Sequence, residues 1–139
     1  LASGGDGTVF IHDGTGKYQD SFTALGGTVD GLSVASVDTD GDGIEEVIVA
    51  SAAGHIPRVG VYNQSGSLLN TFFAFPAEYR EGVEVAAGDI DGNGIPEVYV
   101  SPSRNGGPQV RIFNAQAELI GGFFAFDAQN RSGAAIATY

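Results

Sequence analysis

The sequence predicts an all-β fold built from repeated, four-stranded antiparallel units, and three observations support this prediction. A stretch of the chain recurs after 51 positions, so that Asp38 superposes on Asp89 and Glu46 on Glu97. Each copy contains four short runs rich in β-branched and aromatic residues, separated by turn residues. The 139-residue chain also holds 22 glycines, which suit short strands joined by tight turns better than helices.

The internal repeat runs without a gap through two full copies. The Phe-Phe-Ala-Phe segment at 72–75 recurs at 123–126 with the same shift of 51. A partial copy precedes them, in which Val9 aligns with Val59 at a shift of 50. A fixed period of this kind is typical of architectures in which each repeat is one supersecondary unit.

The repeat boundaries divide the chain into one region with four segments. In the second full copy we expect strands near 82–88, 97–101, 109–114 and 119–126, and in the first near 31–37, 46–51, 58–63 and 68–75. The segments are a partial blade at 1–30, full blades with acidic loops at 31–81 and 82–131, and the first strand of a further blade at 132–139.

The strands themselves indicate how these sheets are arranged. In the segment 72–75 and around Val98 both faces of the strand are apolar, so each sheet is expected to be covered on both sides. Four-stranded units of about 50 residues that stack face to face are β-propeller blades. About three blade equivalents are too few for a closed ring, which usually has roughly 4 to 8 blades. The sequence therefore predicts either a partial propeller or one completed by oligomerisation.

Charge and composition exclude several functions. With 17 acidic and 6 basic residues, the formal net charge is −11, which disfavours nucleic acid and anionic membranes as partners and favours cations. No apolar stretch is long enough for membrane insertion. The chain has no cysteine, so disulfides and thiolate metal sites are excluded.

The strongest chemical signal is an acidic loop that occurs once in each full copy, at 38–46 and 89–97. Oxygen-bearing side chains occupy loop positions 1, 3, 5 and 9, and glycines at positions 4 and 6 allow a sharp turn. Such a loop, with a main-chain carbonyl at position 7, can wrap Ca²⁺ in six- to eight-fold coordination.

Other readings of these loops are less favoured. An EF-hand needs a bidentate Glu at position 12, where this chain has Val49 and Val100. Zinc is disfavoured because neither loop contains His or Cys, and Mg²⁺ demands a stricter octahedron. The alternative that the loops are acidic turns without an ion leaves four carboxylates of the first loop repelling one another.

With these loops in place, the repeat resembles the FG-GAP (VCBS-type) repeats of integrin-like calcium-binding β-propellers and of large microbial surface proteins. The resemblance rests on the acidic loop together with Gly-Pro-Gln-Val-Arg-Ile-Phe at 107–113 and Phe-Phe-Ala-Phe at 123–126. It implies two structural Ca²⁺ sites, with Glu at position 9 where the family often has Asp. The implied ligands are Asp38, Asp40, Asp42, the Ile44 carbonyl and Glu46 in the first loop, and Asp89, Asp91, Asn93, the Ile95 carbonyl and Glu97 in the second.

Four other polar residues are candidates for ligand binding or catalysis. His12 and His55 have no repeated partner, so we expect them to be structural or exposed. Arg80 and Arg131 occupy the same position of the repeat, which favours a structural role over binding of an anionic ligand. No set of residues forms a catalytic constellation, so the sequence predicts that the protein is not an enzyme.

The sequence thus predicts a calcium-stabilised interaction or adhesion module, with a protein or glycan as its ligand. We expect it outside the cell or at the cell surface, where calcium fills sites with dissociation constants of roughly 10⁻⁴ to 10⁻³ M. One alternative is a structural subunit that self-associates into a surface fibre or sheath by β-strand complementation between chains. A weaker alternative is a carbohydrate-binding propeller.

Overall fold

The described part of the protein, residues 1–27 and 31–138 of a computed structural model, consists of three antiparallel β-sheets without helices. The first sheet contains β1 (Ala2–Ser3), β2 (Thr8–His12) and β3 (Tyr18–Thr23). The second contains β4 (Leu32–Val37), β5 (Glu46–Ser51), β6 (Arg58–Tyr62) and β7 (Leu68–Phe73). The third contains β8 (Val83–Gly88), β9 (Glu97–Pro102), β10 (Gln109–Phe113) and β11 (Leu119–Phe124).

Each sheet is a meander in which strands that follow one another along the chain are hydrogen-bonded neighbours. The predicted all-β class and the antiparallel four-stranded units are confirmed, and the eight strands predicted in the two full copies agree with the observed ones to within two residues at either end. The turns explain this accuracy. Asn63, for example, accepts hydrogen bonds through Oδ1 from the amides of Ser65 (3.1 Å) and Ser67 (2.9 Å), and this fixes the β6–β7 connection.

Apolar clusters join the sheets face to face, as expected for propeller-like blades. Val9 of the first sheet packs with Val47, Val49 and Tyr62 of the second. A larger cluster, which includes Ile48, lies between the second and third sheets. At the same position of each junction a phenylalanine of the preceding sheet meets an aromatic ring of the next. These pairs are Phe22 with Tyr62 and Phe72 with Phe113, whose ring centroids are 5.1 and 4.5 Å apart.

The phenylalanine-rich strands are only partly buried, although their sequence suggests an inter-blade core. Phe72 is half-buried against the third sheet, whereas its equivalent Phe123 is 50% exposed. Phe73 and Phe124 project from the opposite face of the same strands and are also exposed. Burial at this position therefore depends on whether a following sheet covers it.

The C-terminal segment, predicted as the first strand of a further blade at 132–139, forms no strand within its described residues 132–138. It packs against the third sheet instead. Thr138 donates a hydrogen bond through Oγ1 to the Ala87 carbonyl at 2.5 Å, and Ile136 contacts the cluster of Ala86, Tyr99 and Val110. Tyr139 and residues 28–30, which include the predicted boundary at residue 30, lie outside the described part.

Because consecutive strands are antiparallel neighbours, successive loops lie alternately at the two ends of each sheet. Loops 38–45 and 89–96, which join the first strand of a sheet to the second, lie at the same end as the turns between third and fourth strands. The other connections lie at the opposite end. The predicted metal loops therefore share one end of the structure.

Candidate metal centres

The structure places three acidic side chains together in each predicted metal loop. In the first loop, Asp38, Asp40 and Asp42 each offer a carboxylate oxygen, and these oxygens lie within 4.8 Å of one another. In the second loop the group within the same distance consists of Asp89, Asp91 and Glu97.

The first residue of the first loop organises the loop backbone. The two carboxylate oxygens of Asp38 accept hydrogen bonds from the amides of Gly41 at 2.7 Å and Gly43 at 2.9 Å. Both glycines have positive φ angles of 80° and 87°, which side chains with a Cβ rarely adopt. The bond from Gly43 is the largest cause that holds the pKa of Asp38 below its usual value, so the carboxylate stays ionised.

The second loop repeats this arrangement with an additional contact. Asp89 accepts hydrogen bonds from the amides of Gly92 at 2.8 Å and Gly94 at 2.7 Å. Asn93 donates through Nδ2 to Asp91 at 3.0 Å, while its Oδ1 accepts from the Ile95 amide at 2.7 Å. The asparagine oxygen thus caps the turn, as the Asp42 carboxylate does for the Ile44 amide in the first loop.

The two loops differ at position 9, although both have glutamate there. Glu46 is buried and accepts hydrogen bonds through Oε2 from the amide of Thr39 at 2.7 Å and from its hydroxyl at 2.5 Å. It therefore lies outside the group of three aspartates. Ile90 occupies the position of Thr39 in the second loop and offers no hydroxyl, and Glu97 joins Asp89 and Asp91.

Glu97 has a neighbour that the first loop lacks. The Tyr99 hydroxyl donates a hydrogen bond to Glu97 Oε2 at 3.1 Å, whereas the equivalent residue in the first copy is Ile48. Burial, followed by the hydrogen bond to Glu97, raises the pKa of Tyr99 to about 12. The tyrosine therefore remains a neutral donor beside the buried carboxylate.

The predicted ligand set is thus brought together in part. Six of the eight predicted side-chain ligands belong to one of the two groups of three, and Asn93 contacts a member of the second group. Glu46 is turned towards Thr39, and Asp42 and Asn93 also cap their own turns. The contribution of the Ile44 and Ile95 carbonyls stays a prediction.

Both groups offer oxygen donors and no nitrogen or sulfur. Carboxylate and amide oxygens favour hard divalent cations. Three carboxylates so close together repel one another, and a bound cation offsets that repulsion. The two acidic groups can therefore each hold a metal ion, and the Asp38 and Asp89 hydrogen bonds hold the loops in shape.

His12 and Arg131, which the sequence also offered as candidates, lie apart from the acidic loops. His12 is exposed and contacts the Tyr18 ring edge-on at 6.1 Å between centroids. Arg131 is exposed and donates through Nη1 to the carbonyls of Ala128 at 2.6 Å and Asn130 at 3.0 Å.

Stacked four-stranded sheets with an acidic loop repeated at the same strand junction define a repeat protein of propeller-like blades. A family model described as FG-GAP-like repeat matches residues 38–100, from the first acidic loop into β9. This match confirms the predicted resemblance to FG-GAP-type repeats over that stretch. A comparison with curated protein sequences gives no match. Among the described residues, the structure holds no helix with the length and apolar character needed to span a membrane.

Proposed function

We propose that this chain is a calcium-stabilised interaction module that works outside the cell. The observation that carries the proposal is the recurrence of one acidic loop, with three clustered oxygen-bearing groups, between the first and second strands of two successive sheets. Because the loop recurs at the same position of the scaffold in two successive sheets, we infer that the ion stabilises the fold.

Two further features support calcium and an extracellular setting. The acidic loops supply several oxygen ligands, which suits the variable six- to eight-fold coordination of Ca²⁺ better than the strict octahedron of Mg²⁺. FG-GAP-like repeats are typical of extracellular propeller-like modules that are generally not enzymes. Rigid propeller scaffolds present loops for binding, so the ligand contacts are expected at the loop ends of the sheets.

For sites with dissociation constants of about 10⁻⁴ M, removal of calcium is expected to lower the melting temperature by about 10 °C or more. A ligand at 100 times its dissociation constant stabilises the fold by about 2.7 kcal/mol per site, and two sites add. In a chain of this size each kcal/mol shifts the melting temperature by roughly 2 to 4 °C. Calorimetry in 10 mM CaCl₂ and in chelator measures the shift, and isothermal titration is expected to give two ions per chain.

Magnesium chloride at the same concentration is the control for ionic strength and for divalent charge. The proposal predicts a much smaller shift with magnesium. An unchanged melting temperature on chelation would overturn the structural role of calcium.

Self-association into a fibre is the second candidate function, and two observations favour it. β1 is an edge strand of the first sheet, and edge strands can pair with a strand of another chain. The outer face of the third sheet exposes Phe123 at 50%, at the position where Phe72 meets the next sheet.

Sedimentation velocity in calcium distinguishes the two candidates. A fibre-forming subunit is expected to increase in mass as its concentration rises tenfold, because open head-to-tail strand complementation has no closed endpoint. A single species of fixed mass over that range argues against the fibre and leaves the interaction module.

A further inference from the structure

All five arginines of this acidic chain lie towards the end of the sheets opposite the acidic loops. Arg58 begins β6 and Arg111 lies within β10, the third strands of their sheets. Arg80, Arg104 and Arg131 belong to the connections at that end. The acidic loops occupy the other end. Glu78, Glu81, Glu84 and Asp127 lie at the arginine end too, so that end is not positive as a whole. Attraction of an anion there requires a place where arginines cluster without these carboxylates.

Two of these arginines meet in one open groove of about 420 Å³ between the second and third sheets. Its lining includes Arg111, Arg131 and Gln109, the aromatic rings of Tyr79 and Phe124, and no acidic residue. The groove thus combines two permanent positive charges with apolar surface. That pairing suits a carboxylate attached to an apolar or extended body.

Arg111 is held in place before any ligand arrives. Its Cζ lies 4.6 Å from the centroid of the Phe75 ring, and its Nη1 donates to the Ala74 carbonyl at 2.8 Å. Arginine has five N–H donors, and this contact uses one of them. A guanidinium that is already stacked and anchored loses little entropy when it binds a carboxylate.

The floor of the groove depends on close backbone packing. Tyr79 donates through its hydroxyl to the Arg104 carbonyl at 2.7 Å. A Cβ at Gly106 would lie 2.3 Å from the Pro102 Cβ and 3.1 Å from the Tyr79 hydroxyl oxygen, so a larger residue would displace the floor. The groove is therefore built from fixed elements.

The repeat shows that this groove is particular to one junction. Arg80 is the repeat equivalent of Arg131, but the positions that correspond to Arg111 and Phe75 at the junction of the first and second sheets hold Gly60 and Leu25. The described residues of that junction therefore lack both the stacked cation and its ring.

We propose that this groove binds an acidic peptide segment, with Arg111 and Arg131 pairing with its carboxylates. The inference rests on the proposed role as an interaction module and names the chemistry of its partner. A peptide is favoured over an acidic sugar because β11, which ends at Phe124 in the groove, is an edge strand. Its outer N–H and C=O groups can pair with a peptide backbone.

The test uses the full chain in calcium and a fluorescein-labelled hexaglutamate peptide, with binding followed by fluorescence anisotropy at low salt. Arg131→Gln and Arg111→Gln are each expected to weaken binding at least tenfold. Arg80→Gln removes the same charge at the equivalent repeat position outside the groove, and it is expected to change affinity less than twofold. Arg131 is exposed, so its variant keeps the test valid if Arg111→Gln unfolds.

Three results would overturn the proposal. One is equal weakening by Arg80→Gln and Arg131→Gln, which indicates diffuse electrostatic attraction. Another is equal binding of a hexaglutamine peptide. The third is binding of hexagalacturonate without binding of hexaglutamate, which assigns the groove to acidic sugars.

The calcium-dependent melting shift of the same samples separates this inference from the proposed function. Peptide binding with the expected variant pattern, but without any calcium shift, supports the groove and overturns the calcium-stabilised module. A normal calcium shift without peptide binding overturns the groove alone.

Discussion

Replacing Asp40 and Asp91 with asparagine is expected to remove about half of the stabilisation that calcium gives. Each substitution removes one carboxylate from a group of three, and calcium affinity depends on the number of charged ligands. A tenfold weaker site loses about 1.4 kcal/mol of stabilisation at a fixed, high calcium concentration. Both single variants and the double variant are measured by calorimetry across a calcium titration.

These two positions give a cleaner test than Asp38 and Asp89. Asp40 and Asp91 each accept a main-chain hydrogen bond through Oδ1 at 3.1 Å, which asparagine can retain. Asp91 also accepts the Asn93 side chain through Oδ2 at 3.0 Å, so Asp40→Asn is the cleaner of the two single variants. The carboxylates of Asp38 and Asp89 accept glycine amides through both oxygens, so replacing them would disturb the loop even without an ion.

Asp127→Asn is the matched control for this experiment. Asp127 is exposed, lies in the segment after β11 and accepts the Gln129 amide through Oδ1 at 2.8 Å, the same local geometry as the loop aspartates. It removes one charge without touching either acidic group. Equal calcium dependence in the control and in the double variant would show that the loops are not the calcium sites.

The spacing of the acidic loops allowed most of the candidate centres to be predicted. Positions 1 and 3 converge in both loops because the two glycines at positions 4 and 6 bend the backbone around the first aspartate. The orientation of the position 9 glutamates could not be predicted in this way. The orientation depends on position 2 of the loop, where the Thr39 hydroxyl binds Glu46 and Ile90 has no hydroxyl to bind Glu97. Alignment of the two copies does not show that this difference matters.

Turn residues and short apolar runs allowed the strand positions to be predicted, but they did not predict which side chains are buried. The segments 72–75 and 123–126 have identical sequences, yet Phe72 meets a neighbouring sheet and Phe123 is half exposed. Burial of such residues is set by the packing partner, which is a tertiary property. The arginine groove could not be predicted from the repeat either, because the replacement of Gly60 by Arg111 is one of many differences between the two copies.

Ile48→Ala is expected to lower the free energy of unfolding by about 2 to 5 kcal/mol. Ile48 is fully buried in β5, within the cluster that joins the second and third sheets. Shortening the side chain removes apolar contacts and leaves a cavity between the sheets. The hydrogen bonds within each sheet keep the strands from moving to close it. Urea unfolding at one saturating calcium concentration measures the change, because free calcium would otherwise shift stability by itself.

Ile120→Ala is the control, since Ile120 lies in edge strand β11 and is 55% exposed. The same atoms are removed, but the surrounding space is solvent, so the expected change is within about 0.5 kcal/mol. If both variants lost the same stability, the inter-sheet cluster would not be the core. A large loss at Ile48 alone, with an unchanged dependence on urea concentration, shows that stacking of the sheets stabilises the fold independently of the metal loops, because calcium is saturating in both samples.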